Sequence, residues 1–140
     1  MINRTGSAKW EGGLKEGKGQ VSTESGALSA QPYGFNTRFE DKAGTNPEEL
    51  IGAAHASCFS MALAMMLEQE GVTGVSIETT SKISMDKEGE GFAVKKAHLT
   101  TQITADADEA KVLEVAGKAK EGCPISKLLN AEITMDAKVA

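Results

Sequence analysis

From Leu50 to Leu67 the chain is apolar almost without relief, and this stretch limits what the rest can fold into. Gly52, His55, Ser57 and Ser60 interrupt it, and on a helical wheel they point in different directions. An amphipathic helix buries one stripe, but a helix that is apolar all round has to be covered on every side. At about 18 residues with small and polar breaks, the segment reads as a buried core helix and not as a membrane span. One chain of 140 residues with modest sheets struggles to wrap such a helix. A homodimer that packs its central helices together manages it. The helix start is plain in Thr45-Asn46-Pro47-Glu48-Glu49. It offers a capping residue, a proline at the first helical position and acids at the positive end of the dipole. Glu49 is also placed to complete a capping box with Asn46.

The flanks have other periods. The first forty residues are glycine-rich and predict short strands near 8–14, 19–23 and 27–31, followed by a turn at Pro32-Tyr33-Gly34-Phe35 and an extended piece around Thr37–Glu40. After the helix, 75–85 alternates with Val75, Ile77, Ile83 and Met85 on one side. A turn over Asp86–Gly91 leads to a return strand, 92–104, whose phase slips at Lys95-Lys96 and predicts a bulge. Residues 108–120 read as an amphipathic helix, Cys123-Pro124 as the start of a short one, and 131–139 as a last alternating strand. The expected class is α+β, in one domain spanning 1–140.

Net charge is −5 with scattered basic residues, which argues against nucleic acid as a partner. The first seven residues hold no apolar stretch of the signal-peptide kind, so a cytoplasmic location is expected. Thiols there stay reduced, and Cys58 and Cys123 are then inert core residues or working thiols. Cys58 by itself reads as a small buried hydrophobe. Cys123 sits before Pro124 at a helix start, where free N–H groups favour a thiolate. His55 and His98 fit no zinc spacing, and no dinucleotide, Walker or serine-hydrolase motif occurs, so neither metal nor cofactor is expected. His55, one turn before Cys58, is either its base or a packing residue. Arg38, flanked by aromatics, ordinarily points to solvent from an edge strand. Glu48 and Glu49 are sufficiently explained as helix-start acids.

The stretch Gln31-Pro32-Tyr33-Gly34-Phe35-Asn36-Thr37-Arg38-Phe39-Glu40, the run from Gly44 to Leu63 around Ala54-His55-Ala56-Ser57-Cys58-Phe59, and Gly122-Cys123-Pro124-Ile125-Ser126 together resemble the OsmC/Ohr family over essentially the whole chain. The Pro-Tyr-Gly-Phe-Asn-Thr-Arg-Phe run and the histidine before the cysteine resemble its osmotically inducible branch. The resemblance implies an intertwined homodimer with active sites at the subunit interface, acting as a thiol-dependent peroxidase on organic hydroperoxides. It makes Cys58 the peroxidatic and Cys123 the resolving cysteine, and gives Arg38 and Glu48 the family's arginine and glutamate roles. It also implies an external dithiol reductant, with a lipoylated protein as its class. Ten residues of continuous helix span roughly 15 Å, too far for Glu48 to serve an arginine touching Cys58. A break near Gly52 is therefore expected. Leu50, Phe59, Met61 and Met65 are expected to line an apolar pocket that prefers alkyl hydroperoxides. The rival readings are a dimeric stress protein that binds an apolar ligand without catalysis, and a cysteine hydrolase using Cys58 and His55.

Overall fold

The glycine-rich N-terminal region builds a three-stranded antiparallel sheet from β1 (Gly6–Glu11), β2 (Lys18–Thr23) and β3 (Gln31–Tyr33). The computed structural model describes residues 1–140, which divide into two compact units, Met1–Leu50 and Ile51–Ala140. In the first unit Trp10, Gly19 and Tyr33 stand in one row across the three strands. A side chain at Gly19 would collide with both rings, whose centroids are 5.5 Å apart. Glycine is thus what lets the aromatics meet over the middle strand. The strand expected at 27–31 begins only at Gln31, because Ser22 and Thr23 hold the backbone of Ala30 and Leu28 in a turn through their hydroxyls.

The extended piece expected at Thr37–Glu40 is instead a helix, α1 (Phe35–Phe39). Thr37 closes it: its Oγ1 accepts from the Gly34 N–H at 2.9 Å, and the Arg38 N–H donates to the Gly34 carbonyl. Phe35 and Phe39, one turn apart, add a tilted ring contact at 5.0 Å. Arg38 therefore projects from a helix and not from an edge strand.

The central helix α2 (Pro47–Gln69) begins where the sequence places it. Asn46 Oδ1 caps the Glu49 N–H at 2.8 Å, and the Asn46 amide also donates to the Thr37 carbonyl. The break expected near Gly52 is absent; α2 is one helix through Gln69. Gly52 is needed for docking and not for a kink, since a Cβ there would lie 2.8 Å from the Ser81 carbonyl oxygen.

The second unit carries a sheet of order β4-β5-β6. β4 (Ser76–Glu88) and β5 (Gly91–Thr104) form a hairpin that pairs as far as Glu88 with Gly91, leaving Gly89-Glu90 as the loop. Pairing jumps from Ser84–Lys96 to Met85–Val94, so Lys95 is the extra residue of the expected bulge. After α3 (Glu109–Gly122) and α4 (Pro124–Leu128), β6 (Glu132–Val139) pairs parallel to β5. The core combines Phe59, Leu63 and Leu67 of α2 with Leu99 and Ile103 of β5 and Val112, Val115, Ala116 and Ala119 of α3. Each large side chain contributes about 1.5–3 kcal/mol by leaving water. By length and composition α2 could cross a bilayer, yet its Phe59, Leu63 and Leu67 are fully buried in this core.

Of the four interruptions in α2, Ser57 is exposed and its hydroxyl donates to the Ala54 carbonyl, while the other three face β4. Gly52 and His55 meet Ser81 of β4, and the Ser60 hydroxyl donates to Thr79, which is itself bonded to Thr101. Met61 and Met65 face outward, 77% and 51% exposed. Replacing a helical glycine by alanine ordinarily gains about 1 kcal/mol. Here the backbone contact reverses the sign: Gly52→Ala is expected to lose about 1–3 kcal/mol in urea unfolding, and a stabilised variant would show that α2 is free to move off β4.

Candidate active site

Cys58 lies on α2, half-buried; Cys123 is fully buried at the junction of α3 and α4. Both thiols are free, and Cys58 packs against the buried cluster that contains Cys123. The junction follows from its sequence. The Cys123 N–H closes α3 on the Ala119 carbonyl, Pro124 opens α4, and the Cys123 side chain caps the new helix. Its sulfur takes the place of a capping oxygen, accepting from the Ser126 N–H at 3.4 Å and from the Ser126 hydroxyl at 3.6 Å.

These contacts separate the two thiols. Burial pushes the Cys58 thiol above its ordinary value, the Ile125 N–H opposes this, and Cys123 adds to the rise. Burial also acts to raise Cys123, but the Ser126 N–H and hydroxyl, Cys58 and the Ile125 N–H outweigh it, and the result is a lowered thiol. Cys123 is the readier thiolate and Cys58 the more accessible sulfur.

His55 is not the base of Cys58. It is fully buried, with Nδ1 2.7 Å from Ser81 Oγ and Nε2 2.8 Å from Ser126 Oγ, so both ring nitrogens are engaged elsewhere. A hydrolase built on Cys58 and His55 loses its essential pair. Ser81 and Ser126 carried no expected role; a serine three residues after a helix-capping cysteine is the signal that marks Ser126. His98 pairs across β5 and β6 with Thr134 and Asp136.

Beside Cys58 is a cavity of about 640 Å³, lined by Ala54, Ser57, Met61, Ala62, Met65, Pro124 and Ile125. The lining is apolar as expected and includes Met61 and Met65. Phe59 is instead sealed in the core, and Leu50 does not line the cavity.

In the first unit Arg38 and Glu48 form a bidentate pair, Nε to Oε1 and a terminal nitrogen to Oε2, both at 2.9 Å. This is the fork geometry that fixes a guanidinium in direction as well as position. The Phe39 ring lies 5.3 Å from the guanidinium carbon, and Trp10, Leu14, Tyr33 and Phe35 complete a cavity of about 220 Å³ around it. Glu49, the alternative acid, has its backbone N–H capped by Asn46.

The His55 environment carries a pH dependence. Burial holds its pKa below the ordinary 6.5, so the native state refuses a proton that the unfolded chain accepts. That stability is complete above the ordinary value and is lost as pH falls through the window below it. Urea unfolding at roughly pH 6.5 and 5.5 should show a loss of up to about 1.4 kcal/mol in the parent and a flatter response in His55→Gln.

The family model described as OsmC-like protein matches residues 39–138. Peroxiredoxin OsmC of Escherichia coli strain K12 is 56% identical over 136 residues, covering 96% of this chain and 95% of that protein. The crystal structure of the organic hydroperoxide resistance protein OhrB of Bacillus subtilis superposes with a TM-score of 0.70 at 25% identity, covering 96% of this chain and 98% of that one. An organic hydroperoxide resistance protein OsmC from Legionella pneumophila gives a TM-score of 0.64, also at 25% identity, over 97% and 96% of the two chains. With residues 39–138 matched by the family model and a 56% identical relative covering 96% of its length, the chain belongs to the OsmC-like protein family.

Proposed function

We propose that this chain is a thiol-dependent peroxidase that reduces organic hydroperoxides to alcohols. The observation that carries the reading is a half-buried thiol at the wall of an apolar cavity, packed against the core cluster that holds a second, hydrogen-bonded thiol. The names of the relatives, a peroxiredoxin and an organic hydroperoxide resistance protein, support it. So does the failure of the hydrolase reading.

In the first step the Cys58 thiolate attacks the terminal peroxide oxygen. The O–O bond breaks, the alkoxide leaves and takes a proton to become the alcohol, and Cys58 becomes a sulfenic acid. The Cys123 thiolate then displaces hydroxide from the Cys58 sulfur, forming the disulfide, and the hydroxide is protonated to water. An external dithiol restores both thiols by exchange and is itself oxidised to a disulfide. A lipoylated protein suits this reductant class, as does a cytoplasmic location.

Cys58 needs help to ionise, because its surroundings raise its pKa. Arg38, held by Glu48, is the group suited to that task and to the departing alkoxide. The resemblance to a family with active sites at the subunit interface supports the pair serving Cys58 of a second copy, in a homodimer that also covers Met61 and Met65. The similarity to a relative over 96% of this chain and 95% of that protein supports reading 1–140 as one functional domain in each copy.

Purified protein should consume cumene hydroperoxide with dihydrolipoamide at a higher kcat/KM than hydrogen peroxide. Cys58→Ser should lose turnover, and Cys123→Ser should form a sulfenic acid that is not recycled. No consumption by reduced parent protein would remove the proposal. Mixing Cys58→Ser with Arg38→Ala chains, after dissociation and reassociation, should restore turnover that neither variant has alone. Without such recovery, Arg38 does not act between copies.

A further inference from the structure

Four polar groups of the second unit lie in one line: Ser81 Oγ to His55 Nδ1 at 2.7 Å, His55 Nε2 to Ser126 Oγ at 2.8 Å, and Ser126 Oγ to Cys123 Sγ at 3.6 Å. His55 and Cys123 are fully buried and Ser126 nearly so, and no buried side-chain polar atom lacks a partner. Proton counting fixes the direction of the line. The Ser126 hydroxyl has one proton and donates it to the Cys123 sulfur, so its oxygen accepts from His55 Nε2–H. A neutral imidazole carrying its proton on Nε2 has a bare Nδ1, which accepts from the Ser81 hydroxyl. Burial, which disfavours the imidazolium, keeps the ring in this neutral form.

We infer that His55 is a positioning residue for the resolving cysteine, using Ser81 to set its tautomer and Ser126 to aim a hydrogen bond at Cys123. His55 touches neither peroxide nor sulfur. Its effect is to stop the Ser126 hydroxyl from rotating off the sulfur, which stabilises the Cys123 thiolate both as nucleophile and as leaving group. When Cys123 attacks the Cys58 sulfenic acid, its electron pair forms the S–S bond while the Cys58 S–O bond breaks and hydroxide departs. Cys123 is oxidised and Cys58 reduced by one unit each. When the dithiol later attacks the accessible Cys58 sulfur, the S–S electron pair returns to Cys123, where the same hydrogen bond receives it. No proton leaves the relay in either step. The titratable neighbours of Cys123 are Cys58 directly and His55 through Ser126.

This inference rests on reading Cys123 as the resolving thiol, but its test does not require turnover. In a Cys58→Ser background, the Cys123 thiolate is titrated by its ultraviolet absorbance. Ser126→Ala should raise the Cys123 pKa by about one unit, the worth of one hydrogen bond. Ser81→Ala, which touches neither cysteine, should shift the titration in the same direction by less, because Nδ1 is no longer held bare. His55→Gln, whose amide N–H replaces Nε2–H, should retain the parent titration. In chains with Cys58 intact, Ser126→Ala should leave sulfenic acid formation unaltered and slow disulfide formation about threefold, the lost thiolate fraction being partly offset by greater nucleophilicity. A Ser126→Ala titration equal to the parent's would overturn the hydrogen bond to sulfur. A parent-like Ser81→Ala beside a shifted Ser126→Ala would reduce His55 to packing. Absence of peroxidase activity with these shifts present would refute the function and leave the relay standing.

Discussion

The seam along which α2 lies on β4 determines where both cysteines end up. A helix with apolar residues on all faces has little reason to prefer one rotation about its axis over another. Gly52 against the Ser81 carbonyl, His55 on the Ser81 hydroxyl and Ser60 on Thr79 supply that reason. Only one rotation lets the glycine approach the strand while both hydroxyl contacts form, and a buried polar group left unpaired costs about 1–3 kcal/mol. With the rotation set, Phe59, Leu63 and Leu67 enter the core and Met61 and Met65 turn outward. Cys58, one turn beyond His55, falls on the wall of the apolar cavity. The second nitrogen of the same ring holds Ser126, and with it the start of α4 and Cys123.

Much of this fold could be read from the sequence because its signals are local. The hairpin followed from strict alternation, the bulge at Lys95 from a slip in phase, and the start of α2 from an asparagine and a proline in the right order. The errors came where a local signal was outweighed. Tyr33-Gly34-Phe35 looks like a turn into a strand, but Thr37 folds back on Gly34 and Phe35 reaches Phe39, so a turn of helix forms. A break near Gly52 was expected so that Glu48 could serve an arginine at Cys58, but the helix is continuous and the glycine serves close contact with a strand distant in sequence. The site divides in the same way. The two cysteines of the second unit and the arginine–glutamate pair of the first were named through resemblance. The duties of His55, Ser81 and Ser126 were not, since Ser81 and Ser126 lie far along the chain from the histidine that joins them.

The two cysteines divide accessibility and acidity between them. The sulfur that meets the cavity sits where burial opposes its charge, while the sulfur that carries charge readily is sealed from solvent. Such an arrangement keeps the thiol that ionises more readily away from adventitious oxidants.

The two sulfurs come from elements far apart in sequence, one in the middle of α2 and the other at the end of α3. A bond between them closes a long loop through the hairpin and α3. Cross-linking a loop of that length removes unfolded-chain entropy worth about 4 kcal/mol. On the proposed cycle, each peroxide consumed would staple the fold and each reductant encounter would release it. The chain would then be most resistant to unfolding when it has met oxidant and not yet been recycled, so that conditions of oxidative damage are also those in which the protein is held most firmly together.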